Sequence, residues 1–261
     1  MNKITSLLVA SRTGSRENGK WGPIGRLEYD NGIYRFVYTQ GAKTLEDFRP
    51  FHGMEDYEAI YESNTLFPIF TNRLLPESRP EYKSFLRWSG FDPNDPPDPI
   101  SILGVTEGIR QTDAIEVFPC PIPDPDSCYL NKFFLHSLRW MPQAAIEKVS
   151  RLCEGDSLYL MPDFCNEWDP YAVALRTSDD ERFLIGYVPR YLARDVRKLM
   201  IGCNPGRIQV FVHKVNLDAP LQQRLLCRMH AQWPEDFLPC ADEAYLPIPS
   251  SASTRYGEGA I

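Results

Sequence analysis

The chain has no run of the roughly 18 consecutive apolar residues that a membrane-spanning helix needs. Its opening segment, MNKITSLLVASRTG, has too short an apolar stretch and too many polar residues for a secretory signal. A soluble, cytoplasmic protein with no membrane partner is expected. The sequence also lacks any C-x-x-C pair. Its seven cysteines, Cys120, Cys128, Cys153, Cys165, Cys203, Cys227 and Cys240, are odd in number and scattered, which argues against a secreted disulfide framework. The nearest metal spacing is Cys227-x-x-His230 followed by Cys240, which needs a fourth ligand such as Cys203 to close a tetrahedral zinc site. Buried free thiols are the commoner use of such residues. No G-x-x-x-x-G-K-[ST] phosphate loop, H-R-D or D-F-G element occurs, and the one Gly-Lys pair, Gly19-Lys20, runs into Trp21. ATP chemistry is not expected, and no cofactor is implied.

Basic charge is scarce as well. The formal net charge is −7, which argues against a protein that coats nucleic acid non-specifically, because phosphate binding leaves a basic footprint. The deficit is uneven: residues 1–128 carry 13 Lys and Arg against 19 Asp and Glu, whereas residues 129–230 carry 14 against 11. The second segment is the candidate polyanion binder. What the chain does have is apolar content, 43% of 261 residues, enough for two modest cores. The run Pro119-Cys120-Pro121-Ile122-Pro123-Asp124-Pro125-Asp126 divides them, since closely spaced prolines remove donors and hold the backbone extended. Residues 119–128 are expected to be a linker between a domain at 1–118 and one at 129–235, and the Ser-, Gly- and Pro-rich stretch 247–261 a flexible tail.

The fold class expected is α+β. In the first domain, Leu7–Ser11, Ile24–Tyr29 and Ile33–Thr39 read as strands, with Asp30-Asn31-Gly32 as a hairpin turn. Leu66–Leu75 and Pro80–Ser89 read as helices and Ala114–Phe118 as a closing strand, giving a small antiparallel sheet with helices. The ordered segments G-R-L (25–27), G-I-Y-R-F-V-Y (32–38), L-F-P-I-F-T-N-R-L-L-P-E (66–77) and I-L-G (102–104) resemble the N-terminal subdomain of HipA-type toxin kinases and its free-standing counterpart HipS. The resemblance implies a non-catalytic interaction domain whose partner is a HipA-like kinase core on a separate chain. From the residues alone, Asn72-Arg73 makes either that partner contact or local hydrogen bonds on a helix surface.

In the second domain, strands are expected at Phe133–Leu138, Ser157–Met161, Tyr171–Thr177, Phe183–Val188 and Ile208–Val215, with helices at Pro142–Leu152 and Arg190–Met200. Short strands with two inserted helices suggest a closed or nearly closed barrel. The segments H-S-L-R-W (136–140), G-D-S-L-Y-L (155–160), N-E-W-D-P-Y-A-V (166–173) and I-G-Y-V-P-R (185–190) resemble the HIRAN domain. That resemblance implies a small OB- or SH3-like β-barrel and, as a partner, single-stranded DNA with a free 3′ end. The family's end-binding positions fall on Arg139, Trp140, Trp168, Asp169 and Tyr187, with Trp in place of Tyr at two of them and Tyr187 where a His can stand.

The chemistry of these residues agrees. Trp140 and Trp168 offer stacking faces, which tolerate any base. Asp169 accepts a hydrogen bond from a sugar hydroxyl and repels a terminal phosphate. Arg139, Arg190, Arg194, Arg197 and Lys198 can meet phosphates, and Asn166 shapes the turn beside them. The plainer alternative is that Asn166 and Asp169 merely form a turn, Trp168 folds back as a lid, Gly186 marks a bulge and the helix cations are a solvated face. A third alternative is a hydrolase of nucleic-acid ends. It needs an acidic metal cluster or a nucleophile with its base, whereas His52, His136, His213 and His230 are scattered. A binding protein is the reading adopted, and not an enzyme.

Overall fold

A computed structural model describes residues 6–14, 19–110, 113–122, 128–202, 207–248 and the backbone of 254–256. The chain forms two compact units, one made of Met1–Arg79, Pro97–Cys120 and Cys240–Ile261, the other of Pro80–Pro96 and Pro121–Pro239.

The first unit is a mixed sheet with short helices. Its strands are β1 (Ser6–Thr13), β2 (Lys20–Asp30), β3 (Ile33–Tyr38), β4 (Ile60–Ser63) and β5 (Ile115–Pro119), in the order β4-β3-β2-β1-β5, all antiparallel. Asn31 and Gly32 both take positive φ, 49° and 87°, the two-residue turn whose twist suits the β2–β3 hairpin. Among its described residues the unit also has the α-helices α1 (Gln40–Thr44), α2 (Pro68–Thr71) and α4 (Pro99–Thr106). Phe36 of β3 packs against Tyr38, Phe51, Phe67 and Phe70, with ring centroids 4.9–6.5 Å apart. The Tyr38 hydroxyl donates to the Met54 carbonyl and accepts from the Phe51 amide, and its burial pushes its pKa well up.

Two expectations are corrected here. The helix expected over Leu66–Leu75 is the single turn α2, followed by i→i+3 hydrogen bonds from the Arg73 and Leu74 amides. Pro76 disfavours helical geometry in the residue before it. Arg73 is not a helix-surface residue. It is buried, donating to the carbonyls of Gly108 (2.9 Å) and Ile115 (3.3 Å) and pairing with Asp113 (2.8 Å). The helix α4 was not anticipated from sequence: every residue from Ile100 to Thr106 is buried, so no apolar stripe marks it.

Of the expected tail, residues 249–253 and 257–261 lie outside the described residues. Ile248 is buried and its amide donates to the Tyr38 carbonyl, and Thr254–Tyr256 forms a strand, β12, parallel to β4. Of the expected linker, 123–127 lies outside the described residues.

The second unit contains α3 (Tyr82–Trp88), which the sequence boundary had placed with the first domain. Within this unit Trp88 Nε1 donates to Asp218, and Asn216 Nδ2 donates to the Trp88 carbonyl, both at 3.0 Å. Its strands are β6 (Cys128–Phe134), β7 (Ser157–Pro162), β8 (Val173–Thr177), β9 (Leu184–Tyr187), β10 (Ile208–Val215) and β11 (Leu225–Gln232). They pair in the order β6-β11-β10-β7-β8-β9. Past the end of β6, His136 exchanges two backbone hydrogen bonds of 3.0 Å with Tyr187 of β9, so the two edge strands are tied and the curled sheet is a small barrel. Helix α5 (Gln143–Val149) follows β6, and α6 (Arg190–Gly202) follows β9 and buries Tyr191, Leu192, Val196 and Leu199.

The first strand is displaced from expectation: β6 ends at Phe134, and Ser137 takes a φ of 65° into a 3-10 turn at Leu138–Trp140. Strand β11, L-L-C-R-M-H-A-Q, was not anticipated. Its Cys227, Met229 and Ala231 face inward and Arg228 and His230 outward, so the strand period puts Cys227 and His230 on opposite faces. Cys227 is fully buried, which pushes its thiol pKa up. Cys203 lies outside the described residues. Among the described residues no helix is long and apolar enough to cross a membrane.

Candidate nucleic-acid interface

The β7–β8 connection is organised by two side chains inside it. Asn166 Oδ1 accepts from the amides of Trp168 (3.1 Å) and Asp169 (3.0 Å), while its Nδ2 donates to Asp163 Oδ2 at 3.1 Å. Asp169 Oδ1 accepts from the Tyr171 amide at 2.9 Å. These are the self-bonded turns that Asn and Asp favour. They fix a backbone from which Phe164 (80% exposed) and Trp168 (58% exposed) project. Trp168 does not fold back over the barrel.

Asp163, which the sequence reading passed over, is the hub. Besides Asn166 it accepts from the Cys165 amide (3.2 Å) and from the Tyr187 hydroxyl (3.0 Å). The Asn166 bond, then those from Tyr187 and Cys165 and the charge of Arg197, hold its carboxyl below the usual range against the opposing effect of partial burial. Tyr187 is raised, first by burial and then by the Asp163 carboxylate. The phenol of Tyr187 thus serves the turn.

Tyr187 also links the second piece of the site. Its backbone pairs with His136, two residues before the 3-10 turn that carries Arg139 and Trp140. Trp140 is 64% exposed, and the Arg139 guanidinium lies 4.7 Å from its ring centroid. The rings of Trp140 and Trp168 do not touch. Gly186 makes the bridge possible: its φ is +154°, and a Cβ there would lie 2.5 Å from the His136 carbonyl oxygen. It also flanks the bulge between Leu175 and Arg176 of β8, so the bulge expected from sequence is present with a packing reason behind it.

The third piece is the outer face of α6. Its less buried positions include Arg190, Arg194, Arg197 and Lys198, spaced at four, seven and eight residues and so on one side of the helix. Arg194 stacks on Tyr171 (5.1 Å) and Arg197 on Phe164 (4.2 Å), tying the helix to the aromatic turn. Lys198 stands 3.8 Å from the buried Asp195. The structure therefore brings Asn166, Trp168, Asp169, Tyr187 and Arg194 into one connected assembly. Arg139 and Trp140 join it through the His136–Tyr187 bridge. Arg190 and Lys198 share the helix face. Phe164 and Tyr171 also belong; the signal for them was the arginines one helical turn apart on α6.

Asp163 also sets a pH dependence. Because its folded pKa lies below the unfolded value, the stability it contributes is present above the ordinary carboxylate range and is lost as pH falls through the folded value. Asp163→Asn is expected to flatten the acid limb of the stability curve. Denaturant melts of both proteins between neutral and strongly acidic pH check this, and parallel curves would remove Asp163 from the account.

Two solved structures align with part of the chain at low identity. The HIRAN domain of human HLTF is 14% identical, with 39% of this chain and 71% of that chain covered and a TM-score of 0.29. A Lactobacillus plantarum protein is 17% identical, with 40% and 98% covered and a TM-score of 0.32. No curated protein matches the chain. The HIRAN family model matches residues 130–232, a span that begins in β6 and ends with β11, and so takes in every strand of the barrel. The likeness to the HIRAN family thus covers the barrel of the second unit.

Proposed function

We propose that the second unit binds the free 3′ end of single-stranded DNA without chemistry of its own. The observation that carries this is the pair of exposed tryptophans, Trp140 and Trp168, on turns held from within by hydrogen bonds, beside arginines that already stack on aromatic rings. Each ring presents a free face, and stacking one base on such a face contributes ~1–3 kcal/mol. Asp169 keeps a carboxylate at the same turn for a terminal hydroxyl. Arg190, Arg194, Arg197 and Lys198 supply cations along one helix face for the backbone that follows.

Fluorescence anisotropy of the full chain with labelled single strands and blunt duplexes tests the reading; equal affinity for both would defeat it. The salt dependence gives a second check. Each phosphate contact adds about 0.7 to the slope of log K against log salt for a single strand, so Arg194→Gln and Arg197→Gln are each expected to reduce the slope by about that much. Unchanged slopes would place these cations away from phosphate.

The first unit, in this proposal, holds a HipA-like kinase core on a separate chain, in a toxin–antitoxin or defence system. Its support is a shallow groove lined by Tyr34, Asn64, Leu66, Asn72, Leu74 and Pro99, three of which, Leu66, Asn72 and Leu74, lie in the 66–77 segment that carries the resemblance. The full chain is expected to co-purify with a kinase core from its own locus, and Asn72→Arg, an exposed change on the groove wall, to break the pair. Retention of the complex by Asn72→Arg would move the interface elsewhere.

A further inference from the structure

The outer face of β6, β11 and β10 carries an arrangement that the turn-and-helix site does not use. Lys132 of β6 and Arg228 of β11 are direct cross-strand partners, and like charges in that register repel. The Lys132 ammonium is partly buried and lies 3.0 Å from His213 Nε2 of β10. The proton arrangement is constrained, because an ammonium has only donors and the imidazole nitrogen facing it must accept.

Among the described residues, neither cation has a carboxylate in hydrogen-bond or ion-pair reach. The Lys132–His213 contact and the Arg228 guanidinium over the Phe211 ring, at 6.0 Å, account for their polar and ring contacts. Glu154 acts on Lys132 and His213 only at longer range. Burial, then Arg228, lowers the Lys132 pKa; burial, then Lys132, lowers that of His213, with Arg228 and Lys214 adding to it. A partly desolvated cation facing another cation costs stability unless something compensates. Surface salt bridges elsewhere in this unit show the usual remedy: Lys148 sits between Asp179 and Glu181.

We infer that Lys132, Arg228 and His213 form an oxyanion site on the outer face of the barrel, one that takes a phosphate group. A tetrahedral oxyanion accepts from the ammonium and from the guanidinium together, and it converts their mutual repulsion into two charge-assisted bonds. His213 Nε2 then loses its donor and is free to protonate toward the anion. The same chemistry is offered by inorganic phosphate and by a backbone phosphodiester. The site involves none of the residues assigned to the 3′ end, and the inference does not depend on that assignment.

The test is histidine NMR on the full chain, with resonances assigned by His213→Gln and the ionic strength held constant with chloride. Inorganic phosphate is expected to shift the His213 ring resonances saturably, with His52 unmoved as an exposed control. Lys132→Gln and Arg228→Gln are each expected to weaken the midpoint about tenfold, the loss of one charge-assisted contact, while the spectrum of the rest of the chain reports that both remain folded. A dinucleoside monophosphate titrated in parallel identifies the source: a tighter midpoint than inorganic phosphate assigns the site to nucleic-acid backbone, a weaker one to free phosphate. A linear, chloride-like drift of His213, or equal midpoints in the native protein and both variants, would overturn the site.

Discussion

Gly186→Ala is expected to destabilise the second unit by about 3 kcal/mol, through strain of ~1–3 kcal/mol for an unfavourable φ together with a contact that cannot relax cheaply. The new Cβ would stand 2.5 Å from a backbone oxygen, that of His136, and 2.8 Å from Leu135 Cγ. Relief requires the two strands to part, and the two 3.0 Å hydrogen bonds between His136 and Tyr187 that tie the edges of the barrel would go with them. Gly155 supplies the control. It too has positive φ, +90°, but nothing lies within 4 Å of an added Cβ, so Gly155→Ala carries only the conformational cost of about 1 kcal/mol. Thermal melts should separate the variants, at roughly 2–4 °C per kcal/mol for a chain of this size. If both glycines cost the same, the bridge is not what closes the barrel. Because the bridge also sets the start of the turn bearing Arg139 and Trp140, residual binding by folded Gly186→Ala should fall as well.

Much of this architecture was legible where local chemistry decides the structure. Asn31-Gly32 specifies its hairpin by tolerance of positive φ, and β10 fell where its alternation placed it because one face is buried and the other is not. Legibility failed where burial is uniform or where an interaction is distant. Helix α4 is buried all round, leaving no periodicity to read. The segment at Arg73 looked helical because its local pattern is helical, but the guanidinium is spent on carbonyls 35 and 42 residues away. Strand β11 was obscured by its own Cys227 and His230, whose spacing suggests a metal pair only if the strand period is ignored.

The same division runs through the site. Trp168, Asp169 and Asn166 were readable as one turn with an exposed ring. Asp163 was not, because its role depends on Tyr187, 24 residues on in the sequence and in a different strand. The arginines of α6 were legible as a stripe, but their pairing with Phe164 and Tyr171 is a tertiary fact. A sequence pattern reports which residues share a face; it does not report what stands opposite them.

A single strand ending in a free 3′-hydroxyl is expected to bind better than one ending in a 3′-phosphate by about 1–2 kcal/mol, roughly 5- to 30-fold, since a phosphate would face the Asp169 carboxylate at close range in a partly shielded site. Asp169→Asn is the decisive variant because the structure shows what it keeps. Asp169 Oδ1 accepts from the Tyr171 amide, and its own amide donates to Asn166; an asparagine can retain both bonds. The turn stays, the charge goes, and the preference between the two ends should shrink toward unity with little loss for the hydroxyl-ended strand. Trp168→Ala must behave differently. It removes a ring that is 58% exposed and on which the turn does not depend for its hydrogen bonds, so both ends should weaken together by ~1–3 kcal/mol and their ratio should hold. Anisotropy titrations with matched oligonucleotides measure the four affinities and hence the coupling between residue and end. A preference that survives Asp169→Asn unchanged would assign discrimination to the surrounding cations, and affinity unchanged by Trp168→Ala would return the exposed ring to a structural role.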